Sequence, residues 1–383
     1  MTPGARAQAA IEVLDRILAG EAAEKALTRW GRASRYAGSG DRAAVRDLVF
    51  DALRCRRSFA AFGGADTGRG LILGRARAMG EDVGALFHGG PHGPLPPGPD
   101  EVGGQPEGWA RVDIPDWLGE AFRQSLDDKA VAVLQALQMR APVFLRANLA
   151  RLTRDQAIQR LADEGIVAQP HPLARSALKI THGARRIQTS AIYLEGLVEL
   201  QDAASQAVVE ELPLTEGARV LDLCAGGGGK TLAMAARLPL VLFAHDAVPR
   251  RMTDLVARAA RAGATIALTD HPEDASPYDL VLTDVPCSGS GSWRRDPEGK
   301  WRMTPRRLQE LCSLQADILD RAAALVRQGG CLAYVTCSLL RAENDDQIDA
   351  FLTRQSHWTV EKTRQYTPLD DGDGFFLAVL RRL

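Results

Sequence analysis

The sequence predicts an α/β protein: a doubly wound, mostly parallel sheet in the C-terminal part, preceded by a small α+β subdomain and an all-α N-terminal domain. Three observations carry this expectation. From Ala218 onward, apolar strand-like runs alternate with helical ones. The first of those runs, RVLDL, ends in a turn of four glycines, Gly226, Gly227, Gly228 and Gly229, that opens a helix. Residues 4–74 carry helical periodicity without strand-like alternation.

In the N-terminal part, Ala9, Ile11, Val13, Leu14, Ile17 and Leu18 recur at helical spacing, and Gly20 marks a stop. Asp41 is expected to cap a second run holding Val45, Leu48, Val49 and Leu53. Arg42, Arg46, Arg54, Arg56 and Arg57 lie along that run, either as a solvated face or as a polyanion contact. The segment HGGPHGPLPPGPDEVGGQPEG is too rich in Gly and Pro for regular structure and reads as a linker or long surface loop. Pro115 and Trp117 open an amphipathic helix running toward Gln138. Val143, Leu145 and Ala147 alternate like a strand, and residues 153–164 look helical before Gly165. This gives four expected parts: residues 1–79 helical, 80–110 linker, 111–212 α+β, and 213–383 α/β.

Within the α/β part, LVLFAHD, TIALTD, YDLVLTD, CLAYVTC and FFLAVLRRL read as strands, and Thr304 and Pro305 begin a long helix. One connection is short: residues 271–277 offer less than the usual crossover between parallel strands.

Composition narrows the function. A chain of 383 residues has room for two or three domains at roughly 150 residues each. With a formal net charge of −1, any nucleic-acid contact must come from local patches and not from a global field. The six cysteines form no CxxC pair and no metal-ligand spacing, so free thiols and no metal are expected. No apolar run reaches the roughly 18 residues of a membrane span, and the first residues do not read as a secretory signal.

The glycine turn in VLDLCAGGGGKT, residues 220–231, is the first chemical signal. Backbone approaches a ligand closely there, and helix N–H groups face it. Asp246, at the end of the next strand, is placed to bond ribose hydroxyls. A nicotinamide dinucleotide, a nucleoside triphosphate and S-adenosylmethionine all fit this outline. A P-loop needs glycine where Cys224 stands, and the dinucleotide fingerprint wants glycine at Thr231. Asp222 before the turn, with Gly226 and Gly228 after it, suits S-adenosylmethionine better.

Two cysteines follow later strands at their C-terminal ends: Cys287 in Asp284-Val285-Pro286-Cys287-Ser288-Gly289, and Cys337 in Thr336-Cys337-Ser338. In open α/β sheets that edge holds the ligand. A thiolate there can add to carbon 6 of cytosine, which turns carbon 5 into a nucleophile for an electrophilic methyl group. A lone cysteine at a strand end is more often a small buried hydrophobe, the reading kept for Cys55, Cys224, Cys312 and Cys331.

With LDLCAGGGGKT, Asp246, DVPCSGSGSWRRDPEGKW, YVTCS followed by AEN, and Asp373-Gly374-Phe375-Phe376, the chain resembles the RsmB/Nop/Sun-type family of RNA cytosine-5 methyltransferases; GLVELQDAASQ resembles the lead-in to its catalytic domain. The resemblance spans residues 114–383. It implies a class I methyltransferase sheet and S-adenosylmethionine as cofactor. It implies Cys337 as the residue that bonds the base and Cys287 as the one that assists release. Cys224, Ala225, Gly226, Gly227, Gly228, Gly229, Lys230, Asp246, Asp270 and Asp284 would line the cofactor site, with Lys230 near the cofactor or Asp284. Where family members usually carry Ala-Pro, this chain has Gly226-Gly227, which loosens the turn. SGDRAAVRDLVFDALR resembles a NusB-type helical RNA-binding domain. The implied partner is RNA, ribosomal RNA of the small subunit in particular, for a cytoplasmic, monomeric enzyme without membrane or metal. Arg294, Arg295, Lys300, Arg302, Arg306 and Arg307, interleaved with Trp293 and Trp301, form a candidate grip on single-stranded RNA. A cytosine-5 methyltransferase of transfer RNA or another RNA, a DNA cytosine methyltransferase using Cys287 as nucleophile, and a non-catalytic RNA-binding ribosome-assembly factor are the rival readings.

Overall fold

A computed structural model describes all 383 residues. The chain forms two compact units. The first comprises Met1–Arg140 and Trp293–Arg302, and the second Ala141–Ser292 and Met303–Leu383.

The first unit is helical. Helices Pro3–Leu18, Ser39–Arg54 and Gly68–Ala78 turn Ala10, Leu14, Val45, Val49, Leu53 and Leu71 into one core where each is almost fully buried. That is the packing expected of apolar stripes at helical period. The helix start differs from the expectation: Gly38 is the cap, and Asp41 is the third helical residue, its carboxylate accepting the Gly38 N–H at 3.2 Å. The expected single helix up to Gln138 is two, Asp116–Leu126 and Ala130–Gln138, because Asp127 takes a positive φ of 48° between them.

The Gly/Pro-rich stretch packs against this unit. The Gly104 N–H donates to the Ala61 carbonyl at 2.9 Å, and Arg77 Nη2 donates to the Glu101 carbonyl at 2.8 Å. Arg69 pairs with Glu101 and donates to the Leu95 carbonyl. Backbone that cannot pair with itself is met by arginine side chains.

The arginine run is engaged within the unit. Arg42 donates to the Ala37 carbonyl, Arg46 pairs with Glu24, Arg56 with Asp66 and Arg57 with Asp116. Arg54 is buried and donates to the Arg294 carbonyl at 2.8 Å. The proposed tryptophan–arginine grip is also largely structural. Trp293 is 2% exposed, Arg294 and Lys300 are buried, Lys300 Nζ donates to the Arg54 carbonyl at 3.0 Å, and Trp301 Nε1 donates to the Leu53 carbonyl at 2.6 Å. Burial pushes the Lys300 ammonium down to about 8. Arg302, Arg306 and Arg307 are exposed and pair with Glu298 or Glu310.

The second unit holds two sheets. Strands β1 (Val143–Ala147), β2 (Val167–Pro170), β3 (Ala177–His182) and β4 (Val198–Leu200) form an antiparallel sheet in the order β2-β3-β1-β4. Seven further strands, β5 (Arg219–Asp222), β6 (Val241–Ala244), β7 (Ala267–Leu268), β8 (Tyr278–Asp284), β9 (Val326–Thr336), β10 (Trp358–Tyr366) and β11 (Phe375–Arg382), make the large sheet in the order β10-β11-β9-β8-β5-β6-β7. Pairing is parallel from β7 to β9 and antiparallel for β11 against β9 and β10 against β11. Strands β5, β8 and β9 are buried on both faces, hence their continuous apolar runs.

Two details depart from the sequence reading. TIALTD yields only the two-residue β7 at the sheet edge, and the short connection to β8 holds a single 3₁₀ turn, Pro272–Ala275. Strand β10 escaped the reading. Its seven central residues are exposed and mostly polar, so it lacks the alternation that marks a half-buried strand.

Candidate active site

Strand direction puts the C-terminal ends of β5, β6, β8 and β9 on one edge of the sheet, and a cavity of about 1290 Å³ opens there. Its wall includes Asp222 to Gly227, Gly229, Lys230, Asp246, Asp284, Cys287 and Cys337. Two expected residues stand apart from that wall. Gly228 is the left-handed residue (φ 77°) that caps the helix Gly229–Ala235, and Asp270 is exposed beyond the end of β7.

The turn is held by its own carboxylates. Asp246 accepts the Gly226 N–H at 3.0 Å and the Val248 N–H at 2.8 Å, which fixes the glycine turn against the end of β6. Thr231 Oγ1 donates to Asp222 Oδ2 at 2.6 Å, while Asp222 Oδ1 is buried without a partner. Burial pushes the Asp222 carboxyl up to about 7 against the pull of the Thr231 hydroxyl. Lys230 Nζ donates to Asp284 Oδ2 at 2.5 Å and lies 5.0 Å over the Phe375 ring. Gly226 has φ 50° and open space where a side chain would begin. Glycine adopts that left-handed turn without strain.

The two thiols meet. Cys287 Sγ and Cys337 Sγ are 3.4 Å apart, both half-buried in the cavity wall. The hydrogen bond with Cys337 raises the Cys287 thiol well above its ordinary range, and burial raises it further. Either sulfur of the pair could be the donor. The other four cysteines are raised mainly by burial: Cys55 and Cys224 to about 12, Cys312 to about 11, and Cys331 upward as well. They have the character of inert buried thiols.

Three polar side chains around the site were not singled out beforehand. Arg146 on β1 is buried, donates to the Gly229 carbonyl at 2.8 Å and bonds Gln201. The alternation of Val143, Leu145 and Ala147 marked a strand without a statement about Arg146, which lies on the other face of β1 and is buried as well. Gln201 itself lines the cavity, and Glu343 is fully buried against Ser288 and Ser338, beside the two cysteines. Both lie inside quoted motifs, but a motif carries no statement of which member bears a contact.

Comparison with known proteins gives the family. A family model described as 16S rRNA methyltransferase RsmB/F matches residues 209–381, and a ferredoxin-like domain model of the same family matches residues 114–186. The ribosomal RNA small subunit methyltransferase B of Salmonella arizonae is 34% identical over 287 residues, 71% of this chain and 67% of that protein. The chain belongs to the RsmB/F family. The Xanthomonas campestris protein of the same name is 33% identical over 70% of this chain and 66% of its own length. The chain thus spans about two thirds of the length of the curated relatives it matches.

Solved structures show the fold. PH0851 aligns over 100% of this chain and 99% of its own with a TM-score of 0.80 at 22% identity. A methyltransferase homolog from Pyrococcus horikoshii covers 72% of this chain and 97% of its own, with a TM-score of 0.63 at 22% identity. The fold is that of class I methyltransferases, and with the family it implies S-adenosylmethionine.

The residues present fit that cofactor. The cavity wall is acidic where a sulfonium and an ammonium need charge, and Asp222 Oδ1 is an unmet buried acceptor there. The open space at Gly226 lets the ligand lie on backbone, and Val248, Leu314 and Ile318 supply apolar surface for a flat base. No group of three or more His, Cys, Asp or Glu side chains could hold a metal ion, and no helix is long and apolar enough to cross a membrane.

Proposed function

We propose that this chain transfers a methyl group to carbon 5 of a cytosine in RNA, through a covalent bond between the base and Cys337. The observation that carries the reading is the 3.4 Å approach of the Cys287 and Cys337 sulfurs in the cavity that the glycine turn also lines. S-adenosylmethionine, when bound, supplies an electrophilic methyl group. The backbone of residues 224–230, with Asp246 and Asp284, would hold it, and Lys230 would keep the Asp284 carboxylate oriented. Asp270, beyond the cavity wall, would contribute to that site only from its rim.

The chain's own chemistry then runs on the base. Cys337 Sγ adds to carbon 6 and makes carbon 5 nucleophilic. Carbon 5 takes the methyl group, a base takes the carbon-5 proton, the electrons of that C–H bond restore the 5,6 double bond, and the Cys337–carbon 6 bond breaks with its electrons returning to sulfur. Cys287, hydrogen-bonded to Cys337, assists this last step. The substrate class is small-subunit ribosomal RNA, on which the named relatives act by their names. Residues 1–79 would form an RNA-binding module, 80–110 its connection, 111–212 the α+β support and 213–383 the methyltransferase domain. The site of action would be the cytoplasm, and the working form a monomer.

The test is a pair of substitutions. Cys337→Ala is expected to abolish methyl transfer to small-subunit RNA. Cys287→Ala is expected to trap protein joined to RNA, seen as a slow band on a denaturing gel. Sustained turnover by Cys337→Ala rejects the assignment.

A further inference from the structure

We propose that Glu343 is a positioning residue: its buried carboxylate clamps the loop carrying Cys287 to the loop carrying Cys337 and so sets the spacing of the two sulfurs. The inference rests on the reading of these thiols as a reacting pair. Glu343 is fully buried in the 3₁₀ turn Arg341–Glu343 and does not line the cavity, so it acts through its neighbours.

Its partners come from both loops. Glu343 Oε1 accepts the Ser288 N–H at 2.7 Å and Gln315 Nε2 at 3.1 Å. Glu343 Oε2 accepts the hydroxyls of Ser288 and Ser338. Ser288 directly follows Cys287 and Ser338 directly follows Cys337, so one carboxylate holds the residue next to each sulfur. Gln315 also donates to the Pro286 carbonyl at 2.9 Å, on the other side of Cys287. Ser290 completes the link: its hydroxyl lies 3.0 Å from that of Ser338 and accepts the Leu339 N–H at 2.8 Å. The Tyr334 hydroxyl fixes the backbone of the clamp by donating to the Glu343 carbonyl at 2.7 Å.

A buried carboxylate is costly unless its lone pairs are met. Here four neutral donors meet them, three from the two loops and one, Gln315, from the helix Pro305–Leu325. Shifting either loop leaves charge unsatisfied, so the network has one good geometry. A carboxylate of this kind fixes a distance in a way that apolar packing does not.

Phenylarsine oxide reads the spacing directly. Its arsenic bonds two neighbouring sulfurs, and the two thiol protons leave with the oxygen as water. The native chain is expected to capture one equivalent that a monothiol does not remove and a dithiol does, and Cys287→Ala and Cys337→Ala are each expected to lose it. Glu343→Ala is expected to lose this capture and to lower kcat for methyl transfer by about 100-fold, the scale of an ångström misplacement. Its affinity for S-adenosylmethionine and its KM for RNA should stay native. Glu343→Gln keeps the size and one acceptor oxygen and should recover part of both losses. Native capture and native kcat in Glu343→Ala overturn the proposal, as does a native chain that captures no arsenic. If Glu343→Ala does not fold, Ser338→Ala removes a single donor and is read by the same two measurements, with native values again overturning the clamp. A native chain that captures arsenic yet methylates no cytosine defeats the activity reading alone.

Discussion

At the scale of single residues, environment separates six cysteines that are chemically alike. Burial holds Cys55, Cys224, Cys312 and Cys331 as thiols, whereas Cys287 and Cys337 share a hydrogen bond beside open space. Asp222 is the titratable group with a measurable signature. Its carboxyl rises from an ordinary 3.8 to about 7, chiefly by burial. The folded chain thus holds this proton more tightly than the unfolded chain. The stability this lends is full below about pH 4 and is lost as the pH climbs through about 7. Asp222→Asn removes the titration and keeps the size. The melting midpoint of that variant should therefore gain on the native chain between about pH 5 and pH 8. A constant difference across that range would show that Asp222 titrates normally. A cation bound in the cavity should draw the carboxyl back toward its charged form.

At the scale of elements, the site is made by loops that follow strand ends and lie against one another. Gly291 N–H donates to the Cys337 carbonyl, and Gly374 N–H donates to the Gly291 carbonyl, both at 2.9 Å. The loops after β8 and β9 and the loop before β11 thus meet backbone to backbone. A Cβ at Gly291 would stand 2.1 Å from the Gly374 carbonyl oxygen, where nothing flexible can yield. Gly291→Ala is expected to destabilise the fold by about 1–3 kcal/mol, the usual range for overpacking. A denaturant midpoint measures this, and methyl transfer should fall with it because the Cys337 backbone loses its support. Equal midpoints for variant and native chain would count against the contact. The same scale explains the element that escaped the sequence. Strand β10 pairs only with β11 and exposes its central residues, so no apolar period announces it.

At the scale of the whole molecule, chain order and compact units do not coincide. The ten residues Trp293–Arg302 interrupt the second unit in sequence and belong to the first in space. Trp293 is buried there beside Phe122, with ring centroids 5.9 Å apart. Trp293→Ala should cost about 3–5 kcal/mol, as for a large aromatic removed from a core. Amide hydrogen exchange should quicken in the helix Asp116–Leu126 of the same unit, and unchanged protection there would contradict the packing. Sequence alone determined the alternation of strands and helices from β5 to β9, the closing strand β11, the glycine turn and the two cysteines at strand ends, but not β10. These follow from local rules of periodicity, turn chemistry and strand direction, and parallel strands bring distant motifs to one edge whatever separates them in the chain. Only the tertiary structure decided which polar side chains are interior. Arg146 was not marked at all and is buried, Lys300 was a candidate RNA contact and is buried, and Glu343 stood in a motif without a role until its four donors gathered around it. Period fixes the face of an element on which a residue lies, but what packs against that face comes from elsewhere in the chain.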